Sequence, residues 1–347
     1  MVSEAPPFWW EKPGLQAALL SPLGWVYGRV ARRIMEKRQR KAVSVPVICV
    51  GNFTVGGSGK TPTALALADA VEAIGLKPGF LTRGYGGNIR HATVVDPDQH
   101  SARLVGDEPM LLARRALTVA SPDRPAGAEL LIAEGADIII MDDGFQSARL
   151  VFDHAVMVID ARKGVGNGRV FPAGPVRAPV IAQLRHADSL LVVGEGTAAD
   201  QIIRMAARAA KSVNTAHLVP LSPEKLRGQN CLAFAAIGDP DKFFETLEAA
   251  GIRVAHEKGF PDHHTFADDE IQEMFDEADL YGLTLVTTAK DLVRLQGGHG
   301  KAHEMADRVE VLEVRLDFDQ SNTAGKIVKS AIEKCKRRRI ASGRKTG

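Results

Sequence analysis

The stretch "GNFTVGGSGKT", residues 51 to 61, gathers glycines, a lysine and a threonine where they could surround a phosphate. Successive backbone N–H groups converge on phosphate oxygens only where no side chain intervenes, and Gly56, Gly57 and Gly59 permit that approach. Thr54, Val55 and Ser58 complete the loop, Lys60 is placed to reach β- and γ-phosphates, and the Thr61 hydroxyl is of the type that ligates Mg²⁺. The general pattern GxxxxGK[ST] has glycine where Thr54 stands. The loop nevertheless falls between an apolar run, "VPVICVGN", and an amphipathic pattern, "TPTALALADAVEAIGL". Strand before and helix after is the context such a loop requires, and the helix start aims its positive end at an anion. Pro62 is harmless in a first helical turn, where its missing N–H costs nothing.

Four more stretches carry chemistry-bearing residues. "IIIMDDGFQ" ends an apolar strand in Asp142 and Asp143, a pair that repels itself unless a cation compensates it, as in a Mg²⁺ shell. "GDEPMLLARRA" sets Asp107 and Glu108 before Pro109, which by itself is an ordinary helix start. In "PDHHTF", either His263 or His264 could cap the helix that follows. "GNGRVFPAGPVR", residues 166 to 177, is a long glycine- and proline-rich loop with two arginines, either a binding loop or a connector.

The elements that must position these residues alternate. Apolar runs at "PGFLTRG", "ADIIIMDDG", "HAVMVIDA" and "ADSLLVVG" are separated by helical patterns, which predicts a parallel sheet flanked by helices with ligands at the carboxyl ends of its strands. Near Cys231 the pattern restarts with "CLAFAAIG", "DPDKFFETLEAAG", "IRVAHEKGF", "ADDEIQEMFDEADLYG" and "LTLVTTAKD". We therefore expect an α/β fold with a core over residues 46–228 and a smaller carboxyl-terminal α/β lobe over 229–330. An amino-terminal segment, 1–45, and a basic tail, 331–347, flank them.

The 347 residues carry a formal net charge of +2 that hides an asymmetry. Residues 29 to 41 hold seven basic side chains and one acid, and the run from Lys334 holds seven more and none, leaving the body at about −11. Basic ends of this kind suit an anionic surface. Phe8, Trp9, Trp10, Leu19, Leu20, Leu23, Trp25 and Val26 precede the first basic run, the combination of an element lying in a membrane interface. A helix folded back on the core is the alternative. No apolar run is long enough to span a bilayer. Cys49, Cys231 and Cys335 lie far apart without metal-ligand spacing, which argues against a disulfide framework or zinc site and fits a reducing cytoplasm.

Taken in order, "VGNFTVGGSGKTP", "LTRGYGG", "VGDEP", "DDGFQ", "GNGRVFPAGPVR", "AIGDPDKFFETL", "FPDHHTF" and "TTAKD" resemble one family, the tetraacyldisaccharide 4′-kinases of lipid A biosynthesis. The resemblance spans roughly residues 47 to 295, and Thr54 matches the Ser or Thr of that family's loop. It implies a P-loop NTPase-type fold and transfer of the ATP γ-phosphoryl group to the 4′-hydroxyl of a tetraacyl glucosamine disaccharide 1-phosphate. The reaction would take place at the cytoplasmic face of the bacterial inner membrane, with no nucleic acid and no obligate protein partner. By the same resemblance Asp107 is the candidate base, His263 its partner, and Lys60 and Asp143 act in catalysis. Thr61, Asp142, Asp143 and Glu108 would serve Mg²⁺, and Asn52, Arg83, Tyr85, Gln146, Asn167 and Arg177 the substrate. Ser147 departs from the family's usual histidine after "DDGFQ", so no role of that histidine transfers. A P-loop GTPase or metallochaperone is the alternative, although "TAKD" lacks the NKxD guanine reader, and a membrane-held regulatory ATP-binding protein is a third reading.

Overall fold

The computed structural model describes residues 5–343. Helix α1 (Leu15–Lys37) leads into β1 (Val47–Asn52). Then come α2 (Lys60–Glu72), β2 (Pro78–Thr82), a two-residue β3 (Thr93–Val94), the short helices α3 (Ala102–Val105) and α4 (Asp107–Ala113), and β4 (Thr118–Ala120). The alternation continues through α5 (Arg124–Ala133), β5 (Ile138–Asp142), β6 (His154–Asp160), α6 (Val180–His186), β7 (Ser189–Val193), α7 (Asp200–Arg208) and β8 (Ser212–Pro220). A second unit opens with β9 (Asn230–Ala235), α8 (Pro240–Ala249), β10 (Arg253–Gly259) and α9 (Asp268–Tyr281). It closes with β11 (Thr284–Thr287), α10 (Ala289–Gln296), α11 (Lys301–Arg308) and β12 (Glu310–Val311). Strand β13 (Val314–Phe318) and helix α12 (Thr323–Gly343) return to the first unit.

The first sheet has nine strands in the order β13-β8-β7-β6-β1-β5-β2-β4-β3, and the second has four in the order β10-β9-β11-β12. Every residue of β1, β5, β6 and β7 is buried, because helices cover both faces, which is why these strands read as continuous apolar runs. One face packs α2 and α12 through Leu67, Val71, Ile327 and Ala331. The other packs Met35 of α1, Leu131 of α5 and Ile202 of α7.

The expected all-parallel first sheet needs correction: the sheet is mixed. Strand β13 runs antiparallel to β8, and β3 antiparallel to β4. The reason for the first reversal is the path of the chain. Strand β8 leaves for the second unit at Pro220, and the chain comes back at the same end, where Val314 pairs with Pro220, so it can only run back along β8. The second sheet is parallel throughout. Residues 314–343 thus lie on the first sheet, and the part of the basic run from Lys334 to Gly343 forms the last turns of α12, where Arg338 binds Asp153 at 2.9 Å and the Val43 carbonyl at 2.8 Å; the rest of the run lies outside the described residues.

Helix α1 inverts the usual arrangement. Its buried positions are the small residues Ala17, Gly24 and Gly28 together with Met35. A Cβ on Gly24 would stand 2.7 Å from the Val170 carbonyl oxygen, so only glycine allows the helix to lie this close. Its large apolar residues point outward: Leu15 is 84% exposed, Leu19 79% and Trp25 64%. No helix among the described residues is long and apolar enough to cross a membrane.

His154 on β6 is buried between Ser189 on β7, 2.9 Å from Nε2, and Ser330 on α12, 3.1 Å from Nδ1. Burial lowers its pKa from 6.5 to about 4. As pH falls, the unfolded chain binds this proton near 6.5 and the folded one only near 4, so stability is lost across that window. The full effect is about 3 kcal/mol. His154→Gln should flatten the fall of the melting temperature between pH 6.5 and 4, and an unchanged slope would assign the pH dependence elsewhere.

Candidate active site

The phosphate loop leaves the carboxyl end of the central strand β1 and feeds α2. Gly56 and Gly59 have φ of 103° and 88°, the left-handed region that favours glycine. A Cβ on Gly56 or Gly57 would meet nothing within 4 Å, so both face open space. The loop is braced from outside: Val55 N–H donates to the Pro175 carbonyl at 2.8 Å, and Asn52 Nδ2 donates to the Gly56 carbonyl at 3.1 Å. Lys60 Nζ lies 3.5 Å from the Gly56 oxygen, folded over the loop it belongs to.

Strand β5 brings its acids beside this loop because β1 and β5 pair in parallel with Val50 opposite Asp142. Thr61 Oγ1 donates to Asp142 Oδ2 at 3.1 Å. Burial, with Glu108's charge added, pushes Asp142 up to about 7. Asp143 turns the other way. Arg177 grips both its oxygens, at 2.7 and 3.1 Å, and donates from Nε to the Thr54 carbonyl at 2.8 Å. Burial opposes the Asp143 charge, but Lys60 at 3.8 Å and Arg177 hold its carboxyl far below the ordinary range.

Among the described residues, the buried side-chain polar atoms without a hydrogen-bond partner are Asn52 Oδ1, Ser58 Oγ and Asp142 Oδ1. All three sit in the loop or at the strand ends beside it. Buried polar atoms are otherwise almost always paired. An orphaned carboxylate oxygen beside a threonine hydroxyl fits a hard cation such as Mg²⁺, which takes one or two protein oxygens and completes its shell with phosphate and water. The described residues contain no cluster of three or more His, Cys, Asp and Glu that could hold a metal alone.

The second unit closes over this centre. His263, held at φ 61° with its N–H on the Ala236 carbonyl at 3.2 Å, sets Nδ1 3.0 Å from Asp107 Oδ2. The other Asp107 oxygen accepts from the Glu108 N–H at 2.9 Å. Arg294 of α10 reaches Oδ2 as well, with Nε at 2.9 Å and Nη2 in closer contact. Burial of Asp107 works against its charge, but the His263 bond and the charges of Arg294 and Lys290 keep its carboxyl well below the usual range. The same hydrogen bond raises His263. Next to them Lys290 Nζ binds Glu108 Oε1 at 2.7 Å, and that cation holds Glu108 low.

One cleft of about 2370 Å³ between the two sheets joins the loop to His263 and extends to Trp10, Tyr27 and Phe171. Glu108, Arg83, Tyr85, Gln146 and Arg177 line it, with the Tyr85 ring 5.5 Å from that of His263. Asn52 is fully buried beneath the loop. Asn167 has its polar atoms committed to the Ala173 carbonyl and Arg169 N–H of its own loop and to the Phe8 carbonyl of the amino-terminal segment, and does not line the cleft. Ser147 turns its hydroxyl to the Gly144 carbonyl at 2.7 Å. His264 binds Glu270 at the start of α9, at 2.8 Å.

Sequence reasoning passed over Arg294, Lys290 and the buried Asp291, which receives Thr288 Oγ1 and Arg294. A weak signal was present in "TTAKDLVR": Thr288 as helix cap and two cations four residues apart, hence on one helix face. Nothing in the sequence says which acids those cations meet.

Against known proteins, the tetraacyldisaccharide-1-P 4′-kinase family matches residues 16–333. A tetraacyldisaccharide 4′-kinase of Rhizobium meliloti (strain 1021) is 55% identical over 347 residues, covering 100% of both chains. That of Sinorhizobium fredii (strain NBRC 101917 / NGR234) is 55% identical over 345 residues, covering 99% of this chain and 100% of its own. A crystal structure of LpxK from Aquifex aeolicus in complex with ATP is 26% identical, with a TM-score of 0.70 over 92% of this chain and 100% of that one. A match of this length, on a chain whose loop, acids and histidine share one cleft, means that the chain belongs to the tetraacyldisaccharide 4′-kinase family.

Proposed function

We infer that this chain is a tetraacyldisaccharide 4′-kinase of lipid A biosynthesis, moving the ATP γ-phosphoryl group to the 4′-hydroxyl of a tetraacyl disaccharide 1-phosphate. The observation that carries the reading is the single cleft. It has a glycine cradle with orphaned polar atoms at one end of the reacting zone and an Asp–His pair at the other. The ATP bound in the Aquifex aeolicus relative supports ATP as donor.

Phosphoryl transfer depends mostly on positioning and charge stabilisation. Backbone N–H groups from Gly56 to Lys60 receive the phosphates, and Lys60 adds a cation 3.8 Å from Asp143, whose closer contacts go to Arg177. Thr61 Oγ1 and Asp142 are the residues that would hold Mg²⁺, which when bound neutralises charge on the phosphate oxygens. A sugar hydroxyl is a poor nucleophile until its proton is accepted. Asp107 lies buried with both oxygens occupied, so His263, which lines the cleft, faces the acceptor, while Asp107 fixes its ring and balances the charge it gains. The exposed apolar stripe of α1 and the basic run behind it suit the surface of an anionic membrane, where the acylated acceptor resides.

Turnover of the tetraacyl disaccharide 1-phosphate should proceed with ATP and not with GTP, with the new phosphate at the 4′ position. Lys60→Ala should abolish it at an unchanged melting temperature; near-normal turnover would remove the loop from the reaction. Asp107→Ala and His263→Ala should each lower kcat by about 10²- to 10⁴-fold with little change in ATP KM. The double variant should fall no further than the worse single one, because the two groups act as a unit. Fully multiplying losses would mean separate roles. Replacing Leu15, Leu19 and Leu23 by Gln should reduce sedimentation with anionic vesicles while sparing turnover of detergent-dispersed acceptor. Undiminished sedimentation would rule out the stripe as the contact.

A further inference from the structure

We propose that Arg294 is a positioning residue for phosphoryl transfer, a guanidinium carried by the second unit that sets the orientation of the Asp107–His263 pair. The proposal rests on the reading of that pair as the proton acceptor.

The geometry is unlike an ordinary arginine–carboxylate bridge, in which the planar fork spreads over both oxygens. Here Nε and Nη2 both land on Asp107 Oδ2, the same oxygen that accepts from His263 Nδ1. Oδ1 is taken by the Glu108 N–H. With three donors on Oδ2 and one on Oδ1, the carboxylate is held against rotation, and so is the imidazole that donates to it. Arg294 also fixes the far side of the pair. Its Nη1 donates to the Ala236 carbonyl, the same oxygen that receives the His263 N–H, and binds Asp291 at 2.7 Å. One side chain therefore braces the base's partner at its ring and at its backbone.

The placement across the cleft gives this a consequence. Asp107 opens α4 in the first unit, whereas His263 and Arg294 belong to the second. Lys290, one helical turn before Arg294, grips the neighbouring Glu108. Helix α10 thus presents two cations, spaced one turn apart, to two consecutive acids, and the pair reaches working geometry only when α10 is seated on α4. Arg294 is a tenth exposed and Asp107 a twentieth, so water does not screen the contact.

The test is steady-state kinetics of the full-length enzyme with ATP and detergent-dispersed tetraacyl disaccharide 1-phosphate. Misplacement of a reacting group by about 1 Å costs on the order of 10²-fold, and Arg294→Ala should lower kcat by about that factor with ATP KM within roughly twofold. Added guanidinium chloride, at a concentration that leaves the parent unaffected, should restore much of the rate, whereas sodium chloride at equal ionic strength should not. Arg294→Lys, which keeps the charge in the same volume, should fall between the two and covers the case in which the alanine variant does not fold. In an Asp107→Ala background, Arg294→Ala should add no further loss. Turnover of either Arg294 variant within twofold of the parent, absence of guanidinium rescue in folded Arg294→Ala, or a loss that multiplies in the Asp107→Ala background would each overturn the assignment. An inactive Asp107→Ala beside an active Arg294→Ala sinks the positioning role alone, while an active Asp107→Ala sinks the base pair and with it this proposal.

Discussion

The parallel register of β1 against β5 is the constraint from which the site is built. With Val50 opposite Asp142, the carboxylate at the end of β5 comes within 3.1 Å of the hydroxyl of Thr61 in the first turn of α2. A slip of one residue would turn Asp142 to the opposite face of the sheet and put Asp143 in its place. The two acids have opposite environments for this reason. Asp142 is buried with one oxygen on the Thr61 hydroxyl and the other unpartnered, and Asp143, in a left-handed turn with φ 52°, is drawn out to Arg177. Adjacent residues of one type thereby acquire very different proton affinities from the geometry of a strand end.

The second unit contributes charge where the first contributes shape. Its four-stranded sheet has its own apolar cores, centred on Phe234 and Met274 on one face and Phe244 and Leu247 on the other. Much of its join to the first unit around the cleft is ionic: Lys290 to Glu108, Arg294 to Asp107, Lys242 to Asp160 and Lys163 to Asp239. Each of these pairs is partly or wholly withdrawn from water, so the contacts are directional and demand registration, whereas an apolar join would tolerate sliding.

At the other end of the cleft, α1 separates attachment from exposure. Glycine and alanine bring its backbone against Val170 and Pro179, and the bulky residues are left exposed. The two readings of the amino-terminal segment, a helix folded back on the core and a membrane-interface element, are thus compatible in one helix, because its two faces carry residues of different size. Trp9 and Tyr27, edge-on to Phe171 at 5.9 and 5.4 Å, tie this segment to the loop that also braces the phosphate cradle.

Local chemistry was legible in the residues themselves. A glycine-rich loop between an apolar run and a helical pattern has few other conformations, and continuous apolar stretches ending in acids or glycine announce buried strands, so the alternating order of the two units and the phosphate loop followed from short-range constraints. The family resemblance, carried by the order of the motifs, supplied Asp107 and His263, which composition and spacing left as an ordinary helix start and a cap. What depended on distance along the chain was not legible. The antiparallel return of β13, the turning of Asp143 to Arg177, the bond from Asn167 to the Phe8 carbonyl, and the meeting of Arg294 with Asp107, 187 residues apart, are long-range pairings. A charged side chain in a sequence shows that it needs a partner; which partner it finds is decided only when burial removes water as the alternative.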